Sequence, residues 1–241
     1  RDHTERMLRY FGGNIERKGS VITIPGNQEF TGKEVYVPGD FSSAAYFMAA
    51  AFMAEDSRLK IRDTGINPTR TGFTDVLSRM GADVKIYGQK EISGEPVGNI
   101  EINGGRRLRG TDIVPGEIPG IIDEIPLIAV VASTAEGRTS ISGAGELRVK
   151  ESDRLEAISS ELNKMGARVN ASQDGLTIDG VKRLKGCVVD SRGDHRIAMS
   201  LAIAALWAEG TTVIRNFECV KISFPSFPEL LAETGCAISV K

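Results

Sequence analysis

The 241-residue sequence has few of the side chains that hold metal ions or disulfide frameworks. It contains two histidines far apart in the chain and three scattered cysteines, an odd number, with no CxxC pair. A structural zinc site needs about four such ligands at close spacing, so we expect no metal site. Unpaired cysteines are typical of a reducing compartment, and we therefore predict a cytoplasmic protein.

Three further absences exclude other classes of protein. No apolar run reaches the roughly 18 residues that a membrane span requires, so we expect no membrane partner. The formal net charge of -2 gives no broad basic surface, which argues against nucleic acid as a partner. The sequence also has neither a P-loop nor a GxGxxG turn after a strand, so we expect no nucleotide cofactor.

An internal repeat organises the chain. Three segments run from a helix end through a glycine into a strand, and each follows an aspartate that leads an apolar, Ala-rich helix. The interval from aspartate to glycine is about 41 to 43 residues in every copy, which is typical of repeated supersecondary units. The pairs are Asp40 and Gly81, Asp123 and Gly166, and Asp194 and Gly235.

Each copy is predicted to contain a strand, the Asp-led helix, a strand, a second helix and a strand, with a further strand to follow. This alternation indicates an α/β fold. The three Asp-led helices are apolar nearly all round, so we expect them to be buried against one another. They are predicted at residues 43–53, 125–133 and 197–207, and the strand after the glycine of the third copy at residues 236–238.

The repeat also predicts the domain organisation. Residues 1–27 match the tail of a fourth copy whose front half is absent, which indicates that more chain precedes Arg1 in the natural protein. We therefore expect residues 1–33 to be the end of another lobe plus a hinge. Residues 34–241 should form one domain of three repeats, at about 34–104, 105–180 and 181–241.

The most highly charged turn of the sequence is RVKESDR, at residues 148–154. It lies between a predicted strand and a predicted helix, and its serine or aspartate can cap that helix. On a helix, Lys150 and Arg154 would share one face, and with the helix dipole they would favour an anion. Glu151 stands beside them as a candidate proton carrier. The alternative is a solvated, salt-bridged helix start.

The equivalent turns of the second and third copies are charged as well. They contain Asp123, the run Asp194, His195 and Arg196, and Lys221. Several cations and carboxylates at neighbouring helix N-termini indicate a ligand with phosphate and carboxylate groups. Each residue also has a structural interpretation: the aspartates as helix caps, the histidine as a satisfied turn residue, Arg196 as a partner of Asp194, and Lys221 as a solvated lysine.

Three motifs strongly resemble the 5-enolpyruvylshikimate-3-phosphate synthase family, the 3-phosphoshikimate 1-carboxyvinyltransferases. They are RVKESDRL at residues 148–155, DHRIAM at residues 194–199 and SFP at residues 223–225. The resemblance covers the whole chain and implies part of a two-lobed protein. Each lobe would be an inside-out α/β barrel of three pseudo-symmetric β-α-β-α-β-β units with buried parallel helices, and this chain resembles the end of the N-terminal lobe plus the C-terminal lobe.

The resemblance implies transfer of the enolpyruvyl group of phosphoenolpyruvate to the 5-hydroxyl of shikimate 3-phosphate, a step of aromatic amino acid biosynthesis, without metal or organic cofactor. Asp123 would be the general base, Glu151 the acid that protonates the methylene carbon, and Lys150 would share in proton transfer. Phosphoenolpyruvate would be bound by Arg154, Arg196 and Lys221. Shikimate 3-phosphate would be bound by Asp123, Lys150 and Arg1, with His195 and Asp194 in supporting roles.

Two positions depart from the family pattern. Glu146 stands where many relatives have an asparagine that binds shikimate 3-phosphate, and Lys221 lies three residues before Phe224 where many relatives have two. The resemblance further implies a monomeric full-length protein whose missing N-terminal lobe supplies the opposite wall of the cleft. We therefore expect this chain to be inactive by itself. The alternatives are UDP-N-acetylglucosamine enolpyruvyl transferase and a non-catalytic, anion-binding lobe.

Overall fold

The computed structural model describes residues 1–239, which form a mixed α/β structure. The helices of this part are α1 (His3–Tyr10), α2 (Phe41–Met53), α3 (Gly72–Arg79), α4 (Ile118–Ile121), α5 (Ile125–Thr134), α6 (Arg154–Lys164), α7 (His195–Leu206) and α8 (Phe227–Glu233). Its strands are β1 (Glu16–Lys18), β2 (Val21–Thr23), β3 (Arg58–Gly65), β4 (Asp83–Ile92), β5 (Glu95–Asn103), β6 (Asp112–Ile113), β7 (Arg138–Ser142), β8 (Arg168–Ser172), β9 (Gly175–Asp179), β10 (Leu184–Lys185), β11 (Val188–Asp190), β12 (Ala208–Glu209) and β13 (Val213–Arg215). The predicted α/β class is confirmed.

Helices α2, α5 and α7 form the centre of the core and pack on one another. Beyond their first turns these helices are apolar on nearly every side, so no face of that part gains from contact with water. Met48, Ile128 and Leu201, one from each helix, are fully buried. Burying a side chain of this size stabilises the fold by about 1.5 to 3 kcal/mol. The prediction of three mutually buried helices is confirmed.

An antiparallel arrangement of three strands occurs twice outside these helices. In one sheet the strand order is β3-β5-β4, and in another it is β6-β7-β9-β8, so the last strand of each copy lies between the two that precede it. β6 pairs with β7 in parallel, β11 pairs with β13 in the same sense, and Gly39 forms a parallel bridge with Thr64. In all three copies, therefore, the segment before the buried helix lies beside the strand that follows it.

Glycines turn the chain from helix to strand at the predicted places. Gly81, after α3, has a φ of +100°, and Gly166, after α6, has a φ of +87°. These values lie in the region that residues with a Cβ rarely adopt. Gly235 turns in the same way, yet residues 236–239 form no strand, so that prediction was wrong. β4 and β8 pair with the strands that follow them, whereas the described chain has no strand next to residues 236–239.

The N-terminal segment consists of α1 and the antiparallel hairpin β1-β2. Residues 24–38 follow as a largely exposed connection without regular structure. The start of α1 lies against β5, where the Nδ1 of His3 is 2.8 Å from the Oε1 of Glu95. Across the described residues, no helix is both long and apolar enough to cross a membrane.

Candidate active site

Arg154 begins α6, and its guanidinium is buried with a side-chain exposure of only 2%. Its Nε donates to the Oδ2 of Asp194 at 2.8 Å, and its Nη2 donates to the Oε2 of Glu151 at 2.5 Å. Its Nη1 lies 3.8 Å from the Oδ1 of Asp123. The helix itself is capped by Asp153, which accepts from the backbone N–H of residue 156, as the sequence allowed. One buried cation thus joins three carboxylates from three different turns.

Asp194 is the fully buried partner of this arginine. Its carboxylate also accepts from the backbone N–H of Arg196 at 2.9 Å, which caps α7, and from the Oγ of Ser152 at 3.0 Å. Burial alone would raise the pKa of Asp194, but its hydrogen bonds from Arg154 and from the Arg196 backbone outweigh that cost and hold the pKa below its usual range. The expected capping role is confirmed, and Asp194 additionally fixes the guanidinium of the neighbouring repeat.

Asp123 does not cap a helix. It lies in a 3-10 turn, residues 122–124, between α4 and α5, and its side chain makes no capping hydrogen bond. Its carboxylate instead accepts from the Nη2 of Arg1 at 2.8 Å and lies 3.7 Å from the Nη2 of Arg196. Burial would raise the pKa of Asp123, but the guanidiniums of Arg196, Arg1 and Arg154 together hold it below its usual range. Asp123 is therefore ionised at neutral pH and surrounded by cations.

Arg196 enters the site from the first turn of α7. Besides Asp123, its guanidinium faces the carboxylate of Glu124 at 3.8 Å and the hydroxyl of Tyr46 on α2. Burial raises the pKa of Tyr46 to about 12 although the charge of Arg196 opposes the shift, so this hydroxyl keeps its proton. The interpretation of Arg196 as a side-chain partner of Asp194 is wrong, because only its backbone N–H reaches that carboxylate.

A polar connection behind Arg196 was not anticipated from the sequence. Glu124 is 2% exposed and accepts from the Oγ of Ser42 at 2.5 Å, and Ser42 in turn accepts from the Nη2 of Arg70 at 2.9 Å. Burial raises the pKa of Glu124, although the hydrogen bond from Ser42 partly opposes the shift. The first copy, which contains none of the predicted site residues, thus supports the site. Only the pairing of Ser42 with a residue 82 positions away reveals this, and no local motif signals it.

Lys150 and Arg154 do not share a helical face, so that prediction was wrong. Lys150 follows a 3-10 turn, residues 145–149, and α6 begins only at Arg154. The Nζ of Lys150 pairs with Glu146, whose side chain is 62% exposed. The physical reason is that Asp153, as the helix cap, has non-helical backbone angles. The helix therefore does not extend back to residue 150.

The remaining predicted residues lie nearer to solvent. Glu151 is 51% exposed, so its carboxylate can leave Arg154 without unfolding anything. Lys221 is exposed in a 3-10 turn, residues 217–222, and within the described residues no carboxylate pairs with it. His195 is half-buried, and burial and the charge of Arg196 lower its pKa, so the imidazole is neutral at pH 7.

The arrangement can bind an anion and move protons. Arg1, Arg154 and Arg196 converge on one carboxylate, and the positive ends of α6 and α7 point to the same region. Fixed guanidiniums stabilise developing negative charge without reorganising during a reaction. Among residues 1–239, no group of three or more His, Cys, Asp and Glu side chains has a geometry suited to a metal ion.

Comparisons with solved structures identify the fold. An EPSP synthase from Acinetobacter baumannii has the same fold with a TM-score of 0.95 and 40% sequence identity, and the match covers all of this chain and 56% of that one. The enolpyruvyl transferase NikO from Streptomyces tendae shares the fold at a TM-score of 0.78 and 23% identity over 96% of this chain. The fold is therefore that of the enolpyruvyl transferases.

The particular family follows from the sequence. The model of the EPSP synthase family, 3-phosphoshikimate 1-carboxyvinyltransferase, matches residues 1–231, and the chain belongs to this family. The enzyme of that name from Pelotomaculum thermopropionicum is 48% identical over 233 residues, and the one from Synechococcus is 50% identical over 229 residues. The matches cover 97% and 94% of this chain but only 54% and 51% of those relatives, so the chain spans about half their length.

Proposed function

We propose that this chain forms one wall of the active site of a 3-phosphoshikimate 1-carboxyvinyltransferase. The protein that contains it would transfer the enolpyruvyl group of phosphoenolpyruvate to the 5-hydroxyl of shikimate 3-phosphate and release phosphate. The observation that carries the proposal is the convergence of Arg1, Arg154 and Arg196 on Asp123, with Glu151 alongside. Both substrates are phosphorylated anions, and guanidiniums suit phosphate and carboxylate groups.

The chemistry needs one base and one acid. Asp123 would accept the proton of the 5-hydroxyl, whose oxygen bonds to C2 of phosphoenolpyruvate, while Glu151 protonates the methylene carbon. Loss of phosphate and of one methyl proton from the tetrahedral adduct would restore the vinyl group. The cations around Asp123 support its role as the base. Substrate groups that bind Arg154 and Arg196 would draw these guanidiniums away from the Asp123 carboxylate, which would then become more basic.

The binding roles divide between the two substrates. Phosphoenolpyruvate would be held by Arg154 and Arg196, and by Lys221 from its exposed turn. Shikimate 3-phosphate would be held by Lys150 and Arg1, together with the general base Asp123. Asp194 and the neutral His195 would support Arg154 and Arg196. Because Glu146 and Glu151 are mostly exposed, substrate phosphates could displace them from Lys150 and Arg154.

We also propose the finer architecture: residues 34–241 as one inside-out α/β barrel of three pseudo-symmetric units, and residues 1–33 as the end of a second lobe plus hinge. The shared strand order of the first two copies and the parallel pairing in all three support it. The rest of a monomeric, cytoplasmic protein would supply the opposite wall. A cleft with one wall cannot exclude water or orient both substrates, so this chain alone should be inactive.

The test is phosphate release from phosphoenolpyruvate and shikimate 3-phosphate by the full-length protein that contains this chain. Glu151→Gln should lower kcat by about 10²- to 10⁴-fold, the usual contribution of a general acid. Glu156→Gln, which changes an exposed glutamate in the first turn of α6, is the matched control and should leave kcat unchanged. Absence of phosphate release from the unaltered full-length protein would overturn the proposal in favour of another enolpyruvyl transferase or a non-catalytic anion-binding protein.

A further inference from the structure

A buried polar cluster ties the N-terminal segment to the turn between β3 and α3. Its centre is Asn67, which is 1% exposed. The Nδ2 of Asn67 donates to the Oδ1 of Asp2 at 2.7 Å and to the Oε2 of Glu95 at 3.1 Å, and the Oε1 of Glu95 lies 2.8 Å from the Nδ1 of His3. Together, Asp2, His3, Asn67 and Glu95 form what is called here the N-terminal latch.

We propose that Asn67 is a positioning residue for shikimate 3-phosphate, and that it acts by holding Arg1 against Asp123 through the N-terminal latch. Arg1 directly precedes Asp2, and its Nη2 reaches the Asp123 carboxylate at 2.8 Å. The inference rests on the proposed function, because that function assigns Arg1 to this substrate. It adds a residue that touches neither substrate nor any catalytic group.

The chemistry of the latch requires a neutral double donor at residue 67. Asp2 and Glu95 are both acidic, and their carboxylates meet at one buried amide. An asparagine NH₂ has two protons and can donate to both at once, whereas a carboxylate there would repel them. Burial would raise the pKa of Asp2, but the hydrogen bonds from Asn67 and Arg6 hold it below its usual range, so Asp2 stays charged in the latch.

The amide oxygen of Asn67 contacts its own turn, between β3 and α3, so the latch can be separated from that turn. The Oδ1 of Asn67 accepts from the backbone N–H of Thr69 at 2.9 Å and from its hydroxyl at 2.7 Å, which shapes the turn. The amide oxygen therefore serves the local backbone, and the amide nitrogen serves the distant N-terminal segment. A substitution that keeps the oxygen and removes the nitrogen will break only the second function.

The experiment uses Asn67→Asp in the full-length protein. The aspartate keeps an oxygen for Thr69 but places a carboxylate against Asp2 and Glu95. With Arg1 no longer fixed, the KM for shikimate 3-phosphate should rise about tenfold, the equivalent of one hydrogen bond between charged groups. The KM for phosphoenolpyruvate should change by less than about twofold, because Arg154 and Arg196, which would bind it, are unaltered.

A double-mutant cycle with Arg1→Ala distinguishes positioning from general damage. If Asn67 acts through Arg1, the double variant should have the same KM for shikimate 3-phosphate as Arg1→Ala alone. Asn163→Asp is the matched control: it also loses an amide donor, to the Val169 carbonyl, and should leave every constant unchanged. Multiplied effects in the double variant, or an equal rise in KM with Asn163→Asp, would overturn the proposal.

Two further outcomes are informative. Should Asn67→Asp fail to fold, Glu95→Gln tests the same latch, because it removes the charge that faces His3 and Asn67. An unchanged KM for shikimate 3-phosphate in that variant would also overturn the latch. If the unaltered full-length protein releases no phosphate, the proposed function fails instead, and the two failures are therefore distinguishable.

Discussion

Arg154 and Lys150 stand four residues apart, yet their environments are opposite. The Arg154 side chain is 2% exposed and meets three carboxylates, whereas Lys150 is 29% exposed and its partner, Glu146, is mostly in solvent. A buried cation is tolerated only when buried anions compensate its lost hydration. A partly exposed lysine loses less hydration, and an ion pair with an exposed glutamate holds it only weakly. The site thus combines an arginine that buried carboxylates hold in place with a lysine that pairs with one mostly exposed glutamate.

The largest expected effect on stability comes from removing the buried cation, Arg154. Arg154→Ala leaves Asp194 buried without its main counter-charge, which should lower the free energy of unfolding by about 3 to 5 kcal/mol. Urea denaturation of the full-length protein measures the loss. Arg107→Ala, which removes an exposed partner of Glu136, is the control and should hardly move the midpoint. Equal midpoints for the two variants would contradict the proposed role of burial.

A smaller effect follows from removing the charge of Asp194 while keeping its shape. Asp194→Asn should cost about 1.5 to 3 kcal/mol at pH 7, the value of hydrogen bonds to a charged group. Because the folded pKa of Asp194 lies below its unfolded value, its contribution is fully present above about pH 5 and is lost as pH falls below about 4. Urea midpoints of both proteins at several pH values should therefore converge in acid, and a constant difference would contradict this assignment.

The smallest effect on stability belongs to Lys150. Lys150→Met removes an exposed pair with Glu146 and should change the free energy of unfolding by no more than about 0.5 kcal/mol. Turnover by the full-length protein should nevertheless fall at least about tenfold, because the proposed contact with shikimate 3-phosphate and its share in proton transfer are lost. A loss of unfolding free energy as large as that of Arg154→Ala would show that Lys150 contributes as much to stability as the buried arginine does.

The predictions that were confirmed depend on local spacing, although the same kind of argument failed for Lys150 and Arg154. Apolar faces all round predicted the burial of α2, α5 and α7, and the glycines predicted the turns at Gly81 and Gly166. The strand after Gly235 was wrong because a strand requires a partner elsewhere in the chain. The contacts of Asn67 and Glu124 were not predicted for the same reason, since they join residues 65 and 82 positions apart. The assigned roles of the site residues stay predictions until they are tested.

The attachment of the N-terminal segment has a consequence for how the protein folds. The contacts of Arg1 with Asp123, and of Asp2 and His3 with Asn67 and Glu95, span 122, 65 and 92 residues. Closing loops of this length costs more entropy than forming a helix, and such contacts are typical of late steps on a folding pathway. The packing of α2 on α7 joins residues that lie even further apart in the chain, so both sets of contacts belong to those late steps. The contact between Arg1 and Asp123 therefore depends, like the helical core, on the chain closing over a long distance.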